Sequence, residues 1–345
     1  MAVNTAFAQL KKDLEQGTAA PVYIFYGEES YLREHYLRML REKLVPAGME
    51  EFNYHRLAGK GLSMQELSDI VEAMPMMSER TLVEVTDLDI FKLGEEQRNQ
   101  LIAILSDVPE YCCLVFLYDL LEYKPDNKMK KLKAAIEQYV QCVKFDAQDR
   151  SDLINWVRRR FKSLGKDIEN QTAEHLLFLC GNLMTGLVPE IAKIAAYAKG
   201  PKVTVEDINA VADPILDAVV FEMTDQISKG NYDKAAERMS QLLKQQTDPI
   251  MILAALGKEL RRLYSARIAL DSGKDKGWLV QLWNMRSDYP AKLLLEAARK
   301  VDRAWCQDGL AMCQKLDRQM KSQTGFDSEG ELKLLLMRLA QGAKR

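Results

Sequence analysis

The chain has 345 residues, of which 47% are apolar and 28% charged, and its formal net charge is −2. That length allows two or three domains with a substantial core, and the composition is that of a globular protein. A balance this close to neutral excludes a chain that attracts polyanions as a whole, so any contact with nucleic acid has to come from a local patch or from partner subunits.

From the N-terminal side, the first informative stretch is Val22–Leu40. Val22-Tyr23-Ile24-Phe25-Tyr26 reads as a strand, Gly27 opens a turn, and a helix runs from about Ser30. Nucleotide-binding proteins use this layout to hold phosphate, but the ligating residues differ here. A phosphate loop needs G-x-x-x-x-G-K-[S/T], with a lysine for the β/γ-phosphates and a hydroxyl for Mg²⁺. Gly27 is followed instead by Glu28-Glu29-Ser30. The two carboxylates suit the helix dipole and repel a triphosphate. This is a degenerate, non-binding phosphate loop, and no cofactor is expected.

The helix carries Leu32, Tyr36, Leu40 and Leu44 on one stripe, and Phe52–Leu57 alternates like an edge strand. Ser63-Met64-Gln65-Glu66 reads as a capping box opening a helix with Leu67, Ile70, Val71 and Met74 inward. Thr81–Val85 is the next strand, and Leu101, Ile102 and Leu105 mark another helix. Cys112–Leu117 is unbroken apolar, as in a strand covered on both faces. Lys128–Gln138 is helical and Val140–Phe145 is a fifth strand. Alternating strands and helices predict a parallel five-stranded sheet with right-handed crossovers.

After Asp146 the strand signals stop. Helices are expected over Ser151–Leu164, over Thr172–Cys180 with Gly181 as its stop, and over Leu183–Ala198, kinked or restarted at Pro189. A short fourth helix is capped by Thr204-Val205-Glu206-Asp207. From about Ala218 onward the pattern stays helical, with stop-and-start signals at Gly230-Asn231-Tyr232-Asp233 and Thr247-Asp248-Pro249. Expected domains are therefore 1–146 (α/β, degenerate loop), 147–213 (small helical lid) and 214–345 (all-α). An α/β core followed by a helical lid is the layout of AAA+ ATPases, an analogy at the level of fold.

Catalytic and metal signals are sparse. No G-x-S-x-G or H-E-x-x-H is present, and His35, His55 and His175 are the only histidines. Cys112, Cys113, Cys142, Cys180, Cys306 and Cys313 contain no C-x-x-C, so reduced, mostly buried thiols are expected rather than a zinc site. Asp87 and Asp89 follow the third strand where an ATPase keeps a metal-binding acidic pair, yet they are not adjacent. Asp119 follows the fourth strand and reads as a turn or cap residue. No run of roughly 18 apolar residues predicts a membrane span, and Met1-Ala2-Val3-Asn4 has no signal-peptide character, so a cytoplasmic location is expected.

The segment Ala73-Met74-Pro75-Met76-Met77-Ser78-Glu79-Arg80 joins a helix to a strand and should lie at the surface. Adjacent residues rarely both face one core, so at least one of Met76 and Met77 is expected to be exposed. One reading is a helix end tucked against the sheet. The other is a flexible hydrophobic plug offered to a partner. Burying both side chains supplies roughly 3–6 kcal/mol, at most two to four decades of affinity before association costs. Arg158-Arg159-Arg160 and Arg261-Arg262 are basic clusters that read first as solvated faces paired with acids, and second as phosphate contacts.

By the order and spacing of these segments, the chain resembles the delta subunit family of the bacterial DNA polymerase III clamp loader, over nearly its whole length. Val22–Glu29 with Tyr31-Leu32, Pro75–Val83, Gly181-Asn182-Leu183 with Glu190–Ile194, and Phe221–Asp225 with Gly230-Asn231 and Asp248-Pro249-Ile250 carry the resemblance. It implies an AAA+-like α/β domain, a lid and a helical collar, in a chain that binds no ATP and has no catalysis of its own within the polymerase complex. The implied partners are the sliding clamp, ATP-hydrolysing sister subunits and a delta-prime-type subunit in a hetero-pentamer, with primed DNA met through the assembly. Pro75, Met76 and Met77 fall where the family presents large hydrophobic residues to the clamp. The alternatives are a divergent AAA+ ATPase and a helical adaptor unrelated to replication.

Overall fold

A computed structural model describes residues 5–342, so the Met1–Asn4 segment lies outside the described residues. Its elements run α1 (Thr5–Gln16), β1 (Val22–Tyr26), α2 (Ser30–Leu44), α3 (Glu50–Asn53), β2 (Tyr54–Ala58), α4 (Met64–Glu72), β3 (Thr81–Thr86), α5 (Glu95–Ser106), β4 (Cys112–Leu117), α6 (Lys130–Tyr139) and β5 (Gln141–Lys144). They continue as α7 (Arg150–Ser163), β6 (Asp167–Ile168), α8 (Asn170–Cys180), α9 (Met184–Tyr197), β7 (Lys202–Val203) and α10 (Val205–Val211). The remainder is α11 (Leu216–Ser228), α12 (Tyr232–Lys244), α13 (Pro249–Asp271), α14 (Lys276–Leu282), α15 (Tyr289–Ala298), α16 (Arg303–Ser322) and α17 (Ser328–Gly342). Two compact units result. The first gathers everything up to Gln148 together with Leu183–Thr185, and the second holds Asp149–Asn182 and everything from Gly186 on.

In the first unit five parallel strands lie in the order β2-β3-β4-β1-β5. Side chains alternate across a strand, and the two faces bury different sets. Val22, Ile24, Val83, Val85, Leu114 and Phe116 pack under Leu67 and Val71 of α4, Leu101 of α5 and Ile136 of α6. Tyr23, Phe25, Leu82, Val115 and Leu117 pack under Leu10 and Leu14 of α1 and Leu37 and Leu40 of α2. Every residue of β4 is buried, as its continuous apolar run requires. Cys112 and Cys113 therefore point to opposite faces, and burial pushes the Cys112 thiol up to about 11.

Several expectations need adjustment. Phe52 and Asn53 belong to the turn of helix α3, and the edge strand starts at Tyr54. Ser63 caps α4 by accepting from the Glu66 N–H (3.1 Å). Met74 is not inward: α4 ends at Glu72, Ala73 is already extended, and Met74 is 83% exposed. Pro75 accounts for this, because its ring disfavours helical backbone at the residue before it. Helix α1 is an addition to the expected elements, although Phe7, Leu10 and Leu14 stand at helical spacing.

The second unit opens with α7, whose Leu153, Val157 and Phe161 are buried. A parallel two-stranded ladder, β6 with β7, interrupts a region expected to be helical throughout. Strands of two residues have no period to read. Helix α9 runs through Pro189 without a restart, giving up the bond its missing N–H would make one turn back. Thr204 and Asp207 form the expected reciprocal cap on α10 (3.2 and 2.9 Å). Asp248 caps α13 with Pro249 at its first position, while Asn231 occupies the cap position of α12. Helices α11–α17 share one core. Gly309 lets α16 pass close to its neighbours: a Cβ there would lie 2.8 Å from Leu339 and 3.1 Å from Leu260. Among the described residues no single helix is long and apolar enough to cross a membrane.

Candidate functional site

Two places in the first unit carry the sequence-predicted site residues. The first is the crevice outside the C-terminal ends of β1, β4 and β5, where open α/β sheets place their ligands. Gly27 turns there with φ +120°, and a Cβ would fall 2.3 Å from the Phe145 carbonyl oxygen, so only glycine fits. Three of the backbone donors at this turn are engaged within the protein. Glu29 N–H donates to Phe145 O (3.0 Å), Ser30 N–H to Glu28 O (3.2 Å), and Tyr31 N–H to Thr185 Oγ1 (3.1 Å). In a phosphate loop those groups point at the anion.

Glu29 itself is fully buried. It makes no side-chain hydrogen bond as the cap of its own helix; its carboxylate accepts from the Met184 N–H at 3.0 Å. Burial raises its pKa, and the N–H groups of Met184, Thr185 and Tyr31 oppose that rise. Ser30 Oγ lies 2.7 Å from Thr185 Oγ1. Beneath the turn, the buried Arg33 guanidinium donates to Gly27 O (2.6 Å) and pairs with Asp119. A guanidinium bound to a carbonyl and a carboxylate inside the protein occupies the region where a nucleotide site would need a free cation.

The crevice in front, about 460 Å³, is lined by Tyr26, Gly27, Tyr118 and the carboxylates of Glu28, Asp119, Glu122 and Asp146. Lys144 is the lysine on its rim, and it pairs with Asp146 at 2.8 Å. Asp87 is also engaged: from a left-handed backbone (φ +56°), its carboxylate accepts the N–H groups of Asp119, Leu120 and Leu121 at 2.8–3.0 Å. Asp89 pairs with Lys92 (2.9 Å). Both act as turn residues, and no cluster of three metal-ligating side chains occurs among the described residues.

The second place is the turn Pro75–Arg80. Met76 is 55% exposed and Met77 84%, so both side chains leave the protein. Neither is tucked against the sheet. A fully buried Asn53 fixes the turn: its Oδ1 accepts the Met76 N–H (2.7 Å), and its Nδ2 donates to Met76 O (2.9 Å) and Met49 O (3.2 Å). One amide thus grips both backbone polar groups of Met76. Met77 sits at φ +53°, a conformation that costs a non-glycine residue on the order of 1 kcal/mol. The Ser78 hydroxyl bridges to Arg80 O (3.1 Å), and the Arg80 guanidinium donates to Glu110 O (3.0 Å). Tyr111 Oη donates to the last carbonyl of α4, Glu72 O (2.8 Å). Met74, Met76 and Met77 thus present exposed apolar side chains on a fixed backbone, and Phe52, next to Asn53 in sequence, is 51% exposed as well.

Met76 and Met77 stood out in the sequence, whereas Asn53, Phe52 and Arg33 did not. An asparagine ahead of a strand carries no sign of a partner 23 residues later. A buried arginine on a helix reads like any exposed one.

The basic clusters separate. Arg262 lies 5.7 Å over the Trp283 ring and 3.8 Å from Glu259, inside the second unit's core packing. Burial pushes the Glu259 carboxyl up to about 7. Arg158 and Arg159 are exposed on α7 and form no ion pair with a described residue.

Two models of one family match the chain: "DNA polymerase III, delta subunit" over residues 23–143, and "DNA polymerase III delta subunit, C-terminal domain" over residues 217–339. The DNA polymerase III subunit delta of Bacillus subtilis is 23% identical over 339 residues, 95% of each chain. The probable DNA polymerase III subunit delta of Aquifex aeolicus is 26% identical over 292 residues, 81% of each. In fold, the chain is similar to the solved Bacillus subtilis DNA clamp loader delta protein, with a TM-score of 0.53 at 22% identity, covering 97% of this chain and 99% of that one. The match takes in both the parallel sheet and the helices after it. With both halves matched by models of a single family, the chain belongs to the DNA polymerase III delta subunit family.

Proposed function

We propose that this chain is the clamp-gripping subunit of its clamp loader, and that Met76 and Met77, oriented by Pro75 and Asn53, are what it inserts into a hydrophobic pocket of the sliding clamp. The observation that supports this reading is a pair of exposed methionines on a turn whose backbone is clamped by a buried side chain. Pre-organising the backbone lowers the ordering cost of binding, while the thioethers adapt to the pocket.

A ligand shifts a closed ring toward an open one only by binding the open form better. A plug seated near one ring interface does so when its full contacts require the neighbouring segment to move. The engaged loop donors and the acidic crevice support a subunit that leaves ATP to its sister subunits and catalyses nothing itself. On this reading the chain divides into an AAA+-like domain (1–146), a lid (147–213) and a collar (214–345). It works in the cytoplasm beside the ATP-hydrolysing and delta-prime-type subunits of a hetero-pentamer, meeting primed DNA through the assembly.

The test is direct binding of the full chain to the clamp. Met76→Ser with Met77→Ser is expected to weaken binding at least tenfold with the melting temperature unchanged, because both side chains are exposed in the free protein. Unchanged affinity would sink the assignment. Co-purification with clamp and loader subunits separates this function from a divergent ATPase or an unrelated adaptor.

A further inference from the structure

The outer face of α7 bears a concentration of charge that the clamp-binding turn does not use. Asn155, Arg158, Arg159 and Lys162 stand at positions i, i+3, i+4 and i+7, one stripe of the helix, opposite the buried Leu153, Val157 and Phe161. With Lys166 and Asp167 they line an open concavity of about 620 Å³. Asp167 is the one carboxylate among these residues. Arg158, Arg159 and Lys162 are exposed and form no ion pair with a described residue, unlike Arg150, which pairs with Glu174, Arg238 with Glu222, and Arg267 and Arg303 with Asp271. Lys166 is fixed at the rim by donating to Ala198 O (2.5 Å) and Gly200 O (2.8 Å). Four cations therefore face one anion on a chain whose net charge is −2.

The geometry points to this stripe as a contact for the sugar-phosphate backbone of duplex DNA, made by the chain itself. The stripe spans roughly 10 Å along the helix axis, and a duplex presents one charge per ~1.7 Å, so several phosphates lie within reach of Arg158, Arg159 and Lys162. Arginine pairs suit phosphate because the guanidinium fork can bind two oxygens at once. The lining carries no aromatic ring, which favours backbone contact with a duplex over the base stacking that holds single strands. Contacts of this kind carry no sequence information; they position the protein. A DNA contact on this subunit deepens the proposed function; it rests on the chain working at DNA but not on the methionine turn.

The test is fluorescence anisotropy of the full chain with a labelled duplex of arbitrary sequence, titrated between about 50 and 200 mM salt. For Arg158→Ala/Arg159→Ala/Lys162→Ala, the slope of log K against log salt is expected to shrink by roughly 2–3, at ~0.9 for each phosphate no longer neutralised. Arg158→Lys/Arg159→Lys, which preserves charge, is expected to retain most of the slope. Equal slopes in the triple variant and the parent overturn the inference, as does a parent chain that shows no salt-dependent binding at the lowest salt. Displacement of the duplex by poly-glutamate as effectively as by unlabelled DNA, at equal charge, also overturns it, in favour of an acidic protein partner. Clamp affinity measured in parallel should be unaffected by the triple variant, and the duplex slope unaffected by the double methionine variant, so the two assignments fail separately.

Discussion

Asn53 shows how one buried amide can organise an exposed surface. Its oxygen and nitrogen both close on Met76, which fixes the backbone while leaving the thioether in solvent. Asn53→Ala strands the Met76 N–H and C=O and is expected to cost about 1–3 kcal/mol of stability in chemical denaturation. It should also weaken clamp binding although both methionines remain, a combination the methionine variants do not produce. Glu259 gives a residue-scale prediction of another kind. Its carboxyl is raised from an ordinary 4.5 to about 7 by burial, against the attraction of Arg262. Between those values the folded state binds more protons than the unfolded one, so stability falls as pH rises through the window, and the fall is complete above about 7. Glu259→Gln removes that penalty. It is expected to be more stable than the parent by about 2–4 kcal/mol near pH 8, with the difference vanishing near pH 4.5. Melting curves at the two pH values check this, and a pH-independent difference would contradict the burial argument.

Among the elements, those defined by local chemistry were legible. Strands β1 and β4 sit where unbroken apolar runs placed them, because a strand covered on both faces must be apolar at every position. The α10 cap was legible for a similar reason: Thr204 and Asp207 are three residues apart and satisfy each other's backbone. Thr204→Ala is expected to destabilise the protein by about 1 kcal/mol, read from the denaturation midpoint. What stayed hidden depends on partners. The β6–β7 ladder is two residues deep and exists only because Asp167 and Lys202 are brought side by side. The end of α4 was masked for a local reason: the stripe that carried Met74 inward continued in sequence after Pro75 had already stopped the helix.

In the whole molecule, the nucleotide question turns on how the first unit closes its own crevice. The loop donors bond to Phe145, Glu28 and Thr185, Glu29 is held by Met184, and the rim is dominated by carboxylates. Calorimetry of the isolated full chain with Mg-ATP is expected to give no saturable heat. Micromolar binding would overturn the reading of a subunit that leaves ATP to its neighbours.

Local sequence was enough for the parallel sheet, the change to a mainly helical chain after Asp146 apart from the β6–β7 ladder, the missing phosphate-loop residues and an exposed methionine in the Pro75 turn. Each of these is a matter of periodicity or residue type within a few positions. Long-range packing settled that Glu29 turns inward to the Met184 N–H, that Arg33 is buried against Gly27 and Asp119, and that Asn53 holds the methionine turn with both thioethers outward. It also settled that, among the described residues, the exposed α7 arginines have a single carboxylate in their concavity. Those outcomes depend on which distant groups share a low-dielectric pocket or a surface, and spacing along the chain does not encode that.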